Sequence, residues 1–122
     1  MISQKPYLIR AIYEWCIDSG LTPFLATMVD SRTNVPKQYV QQGQIVLNLS
    51  TVATKELLID AEWITFKATF GGLLQDVSIP IENIIAIFAQ ESGQGMQFNV
   101  EIKTEMTNSD EFKKPGGLKL VK

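Results

Sequence analysis

The chain has 122 residues, is 45% hydrophobic and 20% charged, and carries a formal net charge of −2 with an isoelectric point near 5.1. That length suits one domain, which can bury enough surface to fold without metals or disulfides. Histidine is absent and there is a single cysteine, Cys16. This excludes Ser-His-Asp and Cys-His nucleophiles, His-based zinc sites, CxxC redox chemistry and an internal disulfide.

The acidic balance disfavours a general nucleic-acid binder, DNA included. Residues 1–103 hold seven Lys/Arg against ten Asp/Glu, and residues 104–122 hold four against three, so no charge block drives function. No run of about 18 apolar residues offers a membrane span. The first ten residues lack the basic and apolar regions of a signal peptide. A lone cysteine fits a reducing, cytoplasmic setting.

The first predicted element is a helix over Tyr7 to Ser19. Pro6 suits its first turn and Gly20 its C-terminal stop. Residues spaced at about 100° place an apolar sector around two-thirds of the wheel, wider than a surface helix needs. The polar remainder is Arg10, Glu14 and Asp18, with Arg10 and Glu14 set as an i,i+4 pair. One apolar face covers the domain core. The other requires a second copy of the chain, or a long loop of the same chain. Cys16 lies in the apolar sector and reads as a small buried hydrophobe rather than a reactive thiol.

The period then changes from helical to alternating. Strands are expected over Phe24 to Asp30, Gln44 to Leu49, Leu57 to Ile59, Trp63 to Phe70 and Leu73 to Ile79. The strand from Trp63 puts Ile64, Phe66, Ala68 and Phe70 on one face, and Gly71-Gly72 permits a tight hairpin. Pro80 ends the next strand and Ile81 to Ile84 suits one helical turn. Ile85 to Gln90 is short and β-branched and is read as a strand. Met96 to Ile102 alternates again, with Met96, Phe98, Val100 and Ile102 inward. The fold class is therefore mainly β (α+β): one N-terminal helix, then short antiparallel strands in a strongly bent barrel or sandwich.

From Thr104 to Gly117 the pattern collapses into a flexible linker, so the globular unit is placed at residues 1–103. The chain then runs Leu118-Lys119-Leu120-Val121-Lys122, either an added edge strand or a short docking peptide. No specific catalytic set exists. Gly71-Gly72 lacks the surroundings of a phosphate loop, and Asp60 with Glu62 sits in a turn where solvated charges are expected. The chain is expected to be no enzyme and to need no metal or cofactor. A groove or strand edge that holds an extended peptide is favoured over one that holds RNA, because Lys67 is an isolated cation beside Phe66 and Phe70.

Several stretches together resemble the stringent starvation protein B (SspB) family. They are Pro6 to Ala11 with Tyr13 and Trp15, Leu21-Thr22-Pro23, Val35-Pro36 with Tyr39, and Gly43 to Leu49. Phe66, Ala68, Phe70 and Gly72 follow, then Ile79-Pro80, Ala86 to Ala89, Glu91, Gly93, Gly95, Phe98 and the terminal Leu-Lys-Leu-Val-Lys. The resemblance implies an Sm-like barrel behind a helix that forms a homodimer. It implies a bacterial cytoplasmic adaptor that binds ssrA-tagged proteins from stalled ribosomes and tethers them to the ClpXP protease. The groove residues implied are Tyr39, Gln44, Ala53, Phe66, Lys67, Ala68, Thr69 and Phe70. Leu118, Lys119, Leu120, Val121 and Lys122 would dock on the N-terminal domain of ClpX. Tyr7, Arg10, Ala11, Tyr13, Glu14 and Ile17 would form the dimer helix.

Phe66 and Phe70 also fit plain core, since they share the inward face. The chain departs from the family at Lys67, Thr69 and Gln90, where Asn, Arg and Arg are typical. Its 14-residue linker is short for the family; a flexible chain of that length spans about 20 Å on average and roughly 50 Å extended. The competing class is an Sm-like RNA-binding or ribosome-associated module.

Overall fold

A computed structural model describes residues 2–100. Helix α1 spans Lys5–Asp18. Seven strands follow: β1 (Pro23–Met28), β2 (Gln44–Asn48), β3 (Lys55–Ile59), β4 (Trp63–Phe70), β5 (Leu73–Pro80), β6 (Ile84–Ala89) and β7 (Gly95–Gln97). Two 3-10 turns, Lys37–Tyr39 and Ile81–Asn83, interrupt them. The helix ends where Gly20 adopts φ 72°. There the Gly20 N–H donates to Ile17 O and the Leu21 N–H to Cys16 O, the paired bonds of a Schellman stop.

The strands form two antiparallel sheets, one of four strands in the order β2-β1-β6-β7 and one of three in the order β3-β4-β5. They are not closed into a barrel, so of the expected barrel or sandwich the described strands take the form of two packed sheets. The reason lies in the connections. Residues 50–54 turn between β2 and β3, and Pro80 with the 3-10 turn Ile81–Asn83 breaks β5 from β6. The sheets are nevertheless joined through the loop after β1, where Asn34 and Ser78 exchange backbone bonds at 2.9 and 3.0 Å.

The core lies between the sheets and under the helix. Leu25, Ile45, Leu47, Ile84 and Ile87 of one sheet meet Ile64, Phe66, Val77 and Ile79 of the other, and Ile9 of α1 joins the same cluster. The period-two alternation of β2 and β4 accounts for this, since every second residue is buried. Cys16 is fully buried, and burial raises its thiol pKa, with the charge of Glu91 adding to the effect.

Two local expectations change. The strand expected over 96–102 is β7, which stops at Gln97; Phe98 still packs against the core, and Ile102 lies outside the described residues. Arg10 does not pair with Glu14. Its Nη1 donates to the Ile59 carbonyl at 2.9 Å, and its guanidinium stacks 4.7 Å from the Tyr7 ring centroid. A carbonyl on an open strand edge gives a fixed, partly shielded partner, which a flexible exposed carboxylate does not.

Candidate functional site

The strand geometry divides the expected groove residues into three groups. Phe66 and Ala68 point into the core, at 3% and 8% exposure. Lys67 and Thr69 lie on the opposite face of β4, beside Asp76 and Leu74 of β5. Lys67 Nζ is 3.6 Å from Glu56 Oε1 across the β3–β4 ladder, an exposed pair of small energetic weight. Glu56 itself has φ 57°, at the point where the β3–β4 register shifts.

The third group gathers at the β4–β5 hairpin tip. The exposed Tyr39 ring sits 5.7 Å from the half-buried Phe70 ring, tilted by 39°. A Cβ at Gly71 would lie 3.9 Å from Tyr39 Oη, so the tyrosine reaches over the turn itself. Leu73 pairs with Phe70 across the hairpin and is 67% exposed. An aromatic pair beside an exposed leucine is the kind of apolar surface that recognition sites use.

Gln44 joins this region through a second, very small hairpin. Gln42 and Gly43 have φ 54° and 75°, the positive pair of a type I′ turn. Gln41 and Gln44 exchange both backbone bonds across it, at 2.8 and 3.0 Å. Tyr39 is therefore two residues from a partner of β2. Ala53 is half-buried in the turn after β2, where its N–H donates to Ser50 O at 3.0 Å. Ser50 Oγ is buried there without a hydrogen-bond partner among the described residues. Sequence reasoning missed the exposed valines of this side, Val46 on β2 and Val52 in the turn. Val46 was legible only as an apolar residue on the otherwise polar face of an alternating strand.

A second concavity lies elsewhere. A cleft of about 570 Å³ opens near the start of α1, between Lys5, Arg32, Trp63 and Glu82. Arg32 is held there by Asp30, with Nη2 at 2.9 Å from Oδ2, and by Glu82. The hydrogen bond from Arg32 holds the Asp30 carboxyl far below the usual carboxylate range. Asn83, nearly fully buried, accepts from Arg32 at 3.2 Å and donates to Thr33 Oγ1 at 3.4 Å. Most of the polar groups in this cleft are paired with one another, which fits a structural lock on the loop carrying Asn34.

Of the expected dimer-helix residues, Tyr7, Ala11 and Glu14 are exposed and Trp15 lies beside them at 38%. Tyr13 packs on the core, Ile17 is half-buried, and Arg10 is engaged with Ile59. Leu118 to Lys122 lie outside the described residues.

Comparison with known proteins adds a family to this geometry. The family model described as stringent starvation protein B matches residues 3–117. A stringent starvation protein B homolog of Haemophilus influenzae is 41% identical over 118 residues, covering 93% of this chain and 77% of that protein. The matched region takes in the helix, both sheets and the Tyr39–Phe70 hairpin tip, and the chain belongs to the stringent starvation protein B family.

Proposed function

We propose that the chain is a non-catalytic adaptor that holds the ssrA degradation tag as an extended peptide and delivers tagged proteins to ClpX. The family match over residues 3–117 carries this reading. The apolar hairpin tip of Tyr39, Phe70 and Leu73 supports it, as a surface suited to a peptide rather than to a phosphate backbone. The only cation among the expected groove residues, Lys67, is paired with Glu56.

The remainder of the mechanism is tethering. Leu118 to Lys122 dock on the N-terminal domain of ClpX, and a homodimer formed through the exposed side of α1 presents two tails. Modest contacts then sum through effective concentration. Action in the bacterial cytoplasm follows from the origin of the tag on stalled ribosomes. The Sm-like reading of the two sheets belongs to the same proposal, supported by the Asn34–Ser78 bridge between them.

Fluorescence anisotropy tests the reading, with a labelled ssrA-tag peptide titrated beside a labelled single-stranded RNA of similar length. Saturable peptide binding at one per protomer with weak RNA binding is expected. Salt-sensitive RNA binding without peptide binding would instead favour the RNA module. Deleting Leu118 to Lys122 is expected to leave tag binding intact and to abolish enhanced degradation by ClpXP.

A further inference from the structure

We propose that the cleft between Lys5, Arg32 and Trp63 is a docking site for the chain's own residues 101–103, Glu-Ile-Lys, which lie outside the described residues, and that it fixes where the C-terminal segment leaves the domain. The inference stands on the geometry of the cleft and does not use the adaptor reading.

The path of β7 leads into the cleft. Gly95, Met96 and Gln97 pair with Phe88, Ile87 and Ala86, and the Phe98 N–H donates to the Ile85 carbonyl at 2.7 Å, so the antiparallel register runs on past the strand. Continued without a slip, it sets Val100 beside Asn83, Glu101 beside Glu82 and Ile102 beside Ile81. Asn83, Glu82 and Ile81 are walls of the cleft, and so is Asn99. The 3-10 turn Ile81–Asn83 cannot carry the ladder further, so side chains rather than backbone hold the segment there. Burial alternates along this path. Met96, Phe98 and Val100 are half-buried, while Gln97 and Asn99 are exposed. The same parity gives Ile102 to the apolar walls and leaves Glu101 and Lys103 for the charged ones.

The lining suits that segment. Asp30, Arg32 and Glu82 are engaged with one another, which leaves Lys5 and Glu62. The half-buried Lys5 ammonium donates to the Glu82 carbonyl at 3.3 Å. Desolvation lowers its pKa, offset in part by the charge of Glu82. A carboxylate at position 101 favours the charged amine there. The exposed Glu62 carboxylate has no ion pair among the described residues. The Glu62 carbonyl accepts the Ile81 N–H at 2.9 Å, so Glu62 stands one step past the place of Ile102, within reach of Lys103. Trp63, 37% exposed, and Ile81 offer Ile102 an apolar wall. A cleft of about 570 Å³ holds a few side chains rather than a folded partner. A segment attached to the end of β7 also supplies its own high effective concentration. Trp63 and Phe70 lie at opposite ends of β4, about 23 Å apart at an extended rise. The tail therefore starts from the base of the β4–β5 hairpin, and the Tyr39–Phe70 surface lies at its tip.

Amide exchange and the Trp63 indole resonance, read by NMR on the full chain, test this. The amides of residues 101–103 are expected to exchange about tenfold more slowly than free-chain rates, the effect of half-burying one isoleucine. Ile102→Asp is expected to remove that protection and to shift the Trp63 indole N–H, with the protection of β4 and β5 unchanged. Lys5→Glu is expected to weaken the protection, and Lys5→Glu combined with Glu101→Lys to restore it. Free-chain exchange at residues 101–103 in the parent, with a Trp63 indole indifferent to Ile102→Asp, would overturn the inference. Protection that rises with protein concentration would overturn it too, since a second copy would then fill the cleft. Neither outcome depends on tag binding.

Discussion

Phe66 and Phe70 share one face of β4, and truncating each to alanine should separate core from binding surface. Phe66 is 3% exposed and faces Val77 across the ladder, within the main apolar cluster. Removing a ring from such a site costs its transfer free energy plus the cavity left behind, about 3–5 kcal/mol. Phe70 sits at the hairpin tip, half-buried, with Tyr39 at 5.7 Å. Its truncation loses part of the burial and a ring pair worth about 0.5–1.5 kcal/mol, for a total near ~2 kcal/mol. Urea denaturation followed by tryptophan fluorescence reads both. Phe66→Ala should shift the midpoint far more than Phe70→Ala, with similar slopes. In peptide titrations the order should reverse, with Phe70→Ala weakening the tag and Phe66→Ala sparing it in the folded fraction. A Phe66→Ala protein within about 1 kcal/mol of the parent would refute this partition, since no fully packed ring is removed so cheaply.

Three further outcomes are expected. A Cβ at Gly95 would overlap the Ile87 carbonyl oxygen and approach Phe88 Cα to 2.5 Å, so Gly95→Ala should cost about 1–3 kcal/mol and strip β7 amides of exchange protection. The Asp30 carboxyl is held below its unfolded value by Arg32, so its stabilising effect is present above about pH 4 and fades as the pH falls. Thermal melts from pH 6 down to pH 2 should therefore show a steeper acid decline in the parent than in Asp30→Asn. Arg10→Ala removes a 2.9 Å bond to an edge carbonyl, so it should lose about 1–2 kcal/mol even at submicromolar concentration. A residue acting only at a dimer interface would show no loss there.

The fold was legible where one rule governed a long segment. The alternation from Trp63 to Phe70, the Gly71-Gly72 turn and the return through Ile79 gave both strands and their facing. The α1 stop was legible because Gly20 supplies the positive φ that the Schellman bonds need. Barrel closure was not legible. It depends on whether β2 runs on into β3, and residues 50–54 turn the chain through bonds to Ser50 O rather than through any periodic signal. The Arg10–Glu14 expectation failed for a related reason. Helical spacing names the neighbours on one helix, but Ile59 reaches Arg10 from another element.

The candidate site was legible as a set of residues and not as a surface. Resemblance supplied Tyr39 and Gln44, yet what joins them is a hairpin that stops after one pair. Its signals in the sequence are faint: Gly43 at one turn position, a non-glycine Gln42 at the other, and Pro36 ahead of the 3-10 turn. Each is ordinary alone. Together they decide whether residues 37–41 form a strand against β2 or leave its edge bare. A continuous hairpin would have satisfied Val46 and Asn48 with Tyr39 and Lys37 and closed the edge to partners. The 3-10 turn instead leaves two residues whose edge-facing backbone is unpaired among the described residues, beside an exposed tyrosine.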